Sequence, residues 1–265
     1  MKLEAHRVEK PWGCDMLPHP FDAAGRRVGE IWFPPPPSAE DLLVKYIFTS
    51  EKLSVQVHPS DAQAQQSGMP RGKEECWLVI DAQPGATLGI GTRTPLSPER
   101  LRETSLSGEI EDLIDWKPAK AGDFYYIPAG TVHAIGAGIC LVEVQQNADA
   151  TYRLYDYGRP RELHLEDAMR VAEPIPYPEH LHRHIAEADT GLLVDGPHFR
   201  LALSRSGPIA LAGTGPVILI PLAGEVRSGS NVATPGECLA CEDVNDWSAS
   251  ADARVLVARS CCLEH

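Results

Sequence analysis

Two short segments of this sequence carry side chains whose types and spacing suit chemistry. In Leu53–His58 (LSVQVH), Leu53, Val55 and Val57 alternate with Ser54, Gln56 and His58, the period of two of a β-strand. Gln56 and His58 then share one face, about 6–7 Å apart along the strand. If the Leu/Val face packs against protein, a hydroxyl, an amide and an imidazole point into one shared space; if it does not, they form the solvated face of a surface strand. The second segment, Gly122–His133 (GDFYYIPAGTVH), fits the pattern G-x5-P-x-G-x2-H. Gly122 and Asp123 make a turn into a strand, and Pro128 with Gly130 form a tight bend that returns the chain so that His133 faces the sheet interior. A lone histidine would be read as a satisfied core or surface residue. Two of them, each set by its own local pattern, are a candidate centre.

The elements that must position these residues are mostly strands. Leu42–Phe48 (LLVKYIF), Glu75–Ile80, Phe124–Ile127 and Ile139–Val144 read as apolar strands around the two segments. A short helix is predicted at Asp61–Gln66, with Ser60 as cap and Gly68 as stop. Ser97-Pro98-Glu99 opens a second helix with a cap, a proline at the first position and an acid in the first turn. Another follows Ser107, where Ile110, Leu113 and Ile114 recur at helical spacing, and a further helix is expected at Leu165–Val171. The first 40 residues read as irregular, because they end in the tetraproline Pro34–Pro37, which blocks both helix and central strand. From Phe199 onward, short apolar runs are broken by Gly, Ser and Asn. The organisation expected is therefore a main β-domain over 1–172 with an N-terminal extension and a short helical insert, a proline-rich linker over 173–198, and a smaller β-domain over 199–262.

Composition agrees with a β-rich globular chain. The 265 residues are 43% hydrophobic and 23% charged, with 22 Gly and 23 Pro favouring turns. A net charge of −13 argues against nucleic acid as a partner, since such binding neutralises phosphates with Lys and Arg. The opening MKLEAHRVEK is too charged for a secretory signal. The run Gly207–Gly224 is broken by Gly and Pro and reads as strands and turns, so no membrane span is expected. Seven cysteines without a signal suggest reduced thiols and a cytoplasmic location. Cys238 and Cys241 form a CxxC without a second pair, which we read as two inert thiols. The terminal Leu263-Glu264-His265 has the look of a truncated tag and is left out of the functional reading.

Gly122–His133 resembles the second motif of the cupin superfamily, jelly-roll β-barrels with a metal near the middle. LSVQVHP at Leu53–Pro59 followed by GKEECW at Gly72–Trp77 is more specific, and resembles the short bacterial type I mannose-6-phosphate isomerases. KPWG at Lys10–Gly13, LLVKYI at Leu42–Ile47 and TYRLYDYGR at Thr151–Arg159 fit the same family, so the resemblance covers residues 8–170 closely. It implies a mainly β fold, a cupin (jelly-roll) barrel with a few short helices and a smaller C-terminal β-unit. It also implies one Zn²⁺ per chain on Gln56, His58, Glu75 and His133. The chemistry agrees, because two imidazoles, a carboxylate and a neutral amide suit a borderline divalent ion. Glu75 is chosen over the adjacent Glu74 on the family pattern alone. The resemblance further places Arg153 at the catalytic arginine, Lys73 and Ser54 in the substrate pocket, and Glu143 as the acidic pocket residue and candidate base.

The activity implied is interconversion of mannose 6-phosphate and fructose 6-phosphate through an enediol, with a hexose 6-phosphate as the small-molecule partner. The alternatives are a non-catalytic sugar-phosphate-binding cupin and another metal-cupin enzyme, such as an iron oxygenase. Lys73, Arg153 and Arg159 are expected to make a positive pocket on an acidic surface. Two features depart from the patterns invoked: Ala137 stands where the cupin motif usually has asparagine, and the long helical insertion of the larger eukaryotic isomerases is missing. Oligomeric state leaves no mark in the sequence.

Overall fold

The computed structural model describes residues 1–205 and 207–261; the terminal Leu263-Glu264-His265 lies outside them. Its central layer is an antiparallel seven-stranded sheet, ordered His6–Cys14, Val28–Phe33, Leu42–Phe48, Ile139–Gln146, Glu75–Ala82, Asp123–Ile127 and His182–His184. Every residue of Leu42–Phe48 and Ile139–Gln146 is buried. That is why these strands read as near-continuous apolar runs, since a sheet covered on both faces has no solvent side to alternate with.

On one face, Ile47, Trp77, Val79, Tyr125, Ile127 and Leu141 meet Leu88, Ile90 and Ile135 of a second, five-stranded sheet. That sheet is ordered Tyr152–Tyr155, Val55–Val57, His133–Ile135, Thr87–Thr92 and Ile114–Pro118. On the other face, Phe33, Val44, Tyr46 and Val142 pack on Leu201, Leu203, Ile218 and Leu256 of a third sheet. The third sheet runs Gly191–Asp195, Phe199–Arg205, Arg254–Ser260, Val217–Ala223 and Leu239–Cys241. A three-stranded sheet, with the strands Asn231–Ala233, Val226–Ser228 and Ser248–Ala249, is formed by chain that lies between Val217–Ala223 and Arg254–Ser260 of the third sheet. The segment 173–198 carries the strand His182–His184 of the first sheet and Gly191–Asp195 of the third.

The short helix α1 (Asp61–Gln66) follows the first histidine segment. The helices α2 (Pro98–Ser107), α3 (Ile110–Leu113) and α4 (Leu165–Val171) cover the outer face of the second sheet. Ser60 caps α1 in a reciprocal capping box with Gln63, and Ser97 caps α2, as the sequence predicts. Leu101, Ile110, Ala168 and Val171 pack onto Val55, Val57 and Ala134. Leu101 is 1% exposed in this layer. Leu101→Ala is therefore expected to lower unfolding free energy by about 2–5 kcal/mol in urea titration. A loss below about 1 kcal/mol would mean that the helices do not brace the sheet as described.

The N-terminal segment departs from expectation. It forms two strands, His6–Cys14 and Val28–Phe33, rather than irregular chain. The first is an edge strand whose pairing slips between Glu9 and Cys14, so Pro11 costs no ladder hydrogen bond in a regular register. The prolines at 34–37 follow the second strand and end it. Cys238 and Cys241 are buried free thiols, and burial pushes both above the ordinary thiol pKa. Among the described residues, no helix is long and apolar enough to cross a membrane.

Candidate metal centre

Alternation along Val55–Val57 decides where the polar residues go. Val55 and Val57 are fully buried beneath the helices, which turns Gln56 toward the first sheet and carries His58 to the same side. Gln56 pairs across the second sheet with His133 on one side and with Arg153 on the other. The bend before His133 has the expected form. Gly130 adopts φ +83°, a left-handed conformation that favours glycine, and its N–H donates to the carbonyl of His58 at 2.9 Å. The two histidine segments are thus tied to each other directly.

The first sheet supplies the opposing residues in cross-strand rows. Gln145 pairs with Glu75, while Lys45, Glu143 and Trp77 form the next row on the same face. The turn before Glu75 is pressed close to the first histidine. A Cβ on Gly72 would lie 2.4 Å from the Pro59 carbonyl, and the Lys73 N–H donates to that carbonyl at 3.0 Å.

These rows bring His58, Glu75 and His133 together, all fully buried, with ligand atoms within 4.8 Å of one another. The His58 and His133 Nε2 atoms lie 3.4 and 3.5 Å from the two Glu75 carboxylate oxygens. Each Nδ1 is 2.8 Å from a backbone carbonyl, of Ala150 for His58 and of Thr131 for His133. A ring that donates from Nδ1 to a carbonyl aims its Nε2 lone pair inward as an acceptor, here facing Lys73 Nζ for His58 and the Gln56 amide nitrogen for His133. The Gln56 amide lies 3.2 Å from His133 Nε2, and Ser54 Oγ donates to Gln56 Oε1 at 3.3 Å. Glu75 Oε1 is buried without a hydrogen-bond partner. The donor set and this orphaned oxygen fit a divalent cation of zinc character.

Protonation states agree with that fit. Burial, reinforced by the Lys73 ammonium, holds the His58 imidazole down at about 4. Burial also lowers His133, with the Lys73 charge as a smaller contribution against Glu75. Burial alone would raise Glu75, but the Lys73 ammonium and the two imidazoles hold it well below the usual carboxylate range. Lys73 Nζ donates to Glu75 Oε2 at 2.6 Å and lies 3.1 Å from His58 Nε2. Its own burial would lower its pKa, yet the carboxylates of Glu75 and Glu143 outweigh this and raise it.

These shifts have a sign in metal-free protein. Between 6.5 and about 4 the unfolded chain protonates the His58 ring while the folded chain does not. The unfolded state then binds more protons, so stability falls as pH drops through that window. Below it, protonation of Glu75 adds a loss of the same sign. Urea titrations of chelator-treated protein across this range should show the slope, and His58→Asn should flatten it. An identical slope in the variant would refute the assignment.

The remaining sequence candidates are placed as follows. Glu143 is buried, with Oε1 3.2 Å from Lys45 Nζ and Oε2 accepting from Trp77 Nε1 at 3.1 Å. Glu74 points the other way and accepts a hydrogen bond from the Tyr126 hydroxyl. Arg153 starts beside Gln56, but its guanidinium turns to the Glu162 carbonyl at 3.2 Å. Arg159 is held by Glu51 and Asp156, so its charge is neutralised locally. Lys45 and Trp77 were not singled out from sequence as site residues. The signal was there in Lys45, a single charge within an otherwise apolar strand.

Facing sheets that enclose paired imidazoles, a carboxylate and an amide define a mainly β protein with a candidate metal site in its interior. No protein-family model matches the chain. It is 34% identical over 242 residues to the mannose-6-phosphate isomerase of Streptococcus mutans, covering 83% of this chain and 74% of that protein. It is 40% identical over 199 residues to mannose-6-phosphate isomerase ManA of Bacillus subtilis, covering 70% of this chain and 62% of that one. The chain belongs to the mannose-6-phosphate isomerase family, whose members are aldose–ketose isomerases. The fold agrees: the crystal structure of the Bacillus subtilis mannose 6-phosphate isomerase superposes with a TM-score of 0.78 at 24% identity, covering 97% of this chain and 98% of that one. A mannose 6-phosphate isomerase bound with zinc and yttrium superposes with a TM-score of 0.71 at 15% identity, covering 98% of each chain.

Proposed function

We propose that this protein interconverts mannose 6-phosphate and fructose 6-phosphate, as a cytoplasmic enzyme with one Zn²⁺ per chain held by Gln56, His58, Glu75 and His133. The observation that carries the reading is the convergence of two Nε2 atoms on the buried Glu75 carboxylate, each ring fixed from behind through Nδ1. When bound, the metal supplies Lewis-acid stabilisation of charge on the sugar oxygens.

The protein's own residues do the rest. The open-chain aldose must lose a proton from C2 and gain one at C1, with an enediol between. Glu143 is the carboxylate we assign to accept and return that proton, a role worth about 10²–10⁴-fold for a positioned base. Lys73, buried between His58 and Glu75, holds a proton at Nζ and presents positive charge to the sugar oxygens or phosphate. Arg153 stabilises the enediolate or holds the phosphate, and Ser54 orients the Gln56 amide. Oxidation state is conserved within the substrate, so no redox cofactor enters.

The test is a panel of hexose 6-phosphates, assayed with and without chelator on zinc-loaded protein. Turnover of mannose 6-phosphate that chelation abolishes and zinc restores is the expected result. Zinc binding without turnover of any hexose 6-phosphate would overturn the proposal in favour of a binding protein. Oxygen uptake with bound iron would overturn it in favour of an oxygenase.

A further inference from the structure

Glu143 is held by one hydrogen bond, at Oε2, and one ion pair, at Oε1, which is buried without a hydrogen-bond partner. Lys45 Nζ sits 3.2 Å from Oε1 and is itself anchored, donating to Gln145 Oε1 at 2.6 Å and lying 4.7 Å from the centre of the Trp32 ring. The indole N–H of Trp77 donates to Oε2 at 3.1 Å. Trp77 is 0% exposed and is the direct cross-strand partner of Glu143. A buried indole needs an acceptor for its one donor, and this structure spends that donor on the candidate base. Besides its apolar neighbours between the sheets, the ring touches the centre itself: it meets His133 edge-on, with centroids 5.4 Å apart and planes at 76°.

We propose that Trp77 is a positioning residue for the isomerisation: its N–H fixes the Glu143 carboxylate, opposite the Lys45 ion pair, at a set orientation to the metal ligands. The inference rests on the reading of Glu143 as the proton-transfer group. A glutamate free to rotate about its side-chain bonds samples many orientations, and proton transfer demands one. The Trp77 hydrogen bond fixes Oε2, and the Lys45 charge draws Oε1 without a hydrogen bond, which narrows that search before substrate arrives. The indole N–H does this without adding charge, so it orients Glu143 without supplying a second cation.

The experiment is a double-mutant cycle on zinc-loaded protein, comparing wild type, Trp77→Phe, Glu143→Gln and the double variant for kcat, KM and zinc content. Phenylalanine keeps an aromatic ring against His133 and removes only the donor and part of the ring system. Trp77→Phe is expected to lower kcat about tenfold, as loss of a hydrogen bond to a charged group would, with KM within about twofold and one zinc retained. In the Glu143→Gln background the same change should alter kcat by less than about twofold. An equal cost in both backgrounds would make Trp77 a packing residue and overturn the proposal, as would wild-type kcat in Trp77→Phe. Wild-type turnover in Glu143→Gln is a different failure: it removes Glu143 from the chemistry, and the role of Trp77 with it. Should Trp77→Phe not fold, benzothienylalanine at this position keeps the indole's shape without its N–H and reads out the same cycle.

Discussion

His133→Ala is expected to yield protein with no bound zinc and with turnover at least about 10³-fold below wild type. Three observations set that expectation. His133 reaches Glu75 and the Gln56 amide at once, at 3.5 and 3.2 Å, so its loss removes one donor and loosens two others. Its ring is 1% exposed, and alanine would leave a gap between Trp77 and His58. A Lewis acid contributes several kcal/mol of charge stabilisation, and each 1.36 kcal/mol is a factor of ten. Zinc content by elemental analysis and a coupled assay give the two readouts. His58→Ala should behave alike, because His58 faces the other Glu75 oxygen. Zinc at one per chain with an unchanged rate in either variant would remove that side chain from the ligand set.

Much of this arrangement is legible in the sequence where a local rule decides it. The alternation in LSVQVH holds over its last four residues, because Val55 and Val57 pack under α2 and α4 and leave the inner face to Gln56 and His58, while Leu53 lies before the strand and packs between the sheets. The helix caps at Ser60 and Ser97 act through neighbouring backbone, so sequence alone finds them. Glu74 and Glu75 are another matter. Only a family pattern separated them, whereas in the fold strand alternation sends Glu75 inward with Trp77 and Glu74 outward to Tyr126. Contacts set by register between distant strands stay hidden. Lys45 and Gln145 are 100 positions apart, and a one-residue slip would have put Lys45 on the opposite face. The N-terminal strands were hidden for a further reason: one contains a proline and a bulge, and the other is buried on both faces, so neither shows a clean period of two.

Arg153→Ala is expected to lower kcat/KM for mannose 6-phosphate about 10²-fold while leaving the unfolding midpoint nearly unchanged. The second half of that statement follows from what Arg153 touches. Among the described residues it has no carboxylate partner; its guanidinium donates to the Glu162 carbonyl at 3.2 Å and lies 3.5 Å from His164 Nδ1. Loss of those contacts at a partly exposed position costs the fold little. The first half follows from where it starts, across the strand from Gln56 at the edge of the metal centre. Arg159 and Arg161 are already committed to Asp156, so Arg153 is the arginine of that segment whose charge is uncompensated. A phosphate or an enediolate would take its donors in place of a backbone carbonyl, and bidentate geometry is what lysine cannot reproduce. The kinetic split then separates the two duties. If Arg153 holds phosphate in ground and transition state alike, Arg153→Ala raises KM and Arg153→Lys recovers part of it. If it stabilises the enediolate, kcat falls, KM holds and lysine recovers little. Wild-type kcat/KM in Arg153→Ala would contradict both, and would leave Lys73 as the cation that meets the substrate's charge.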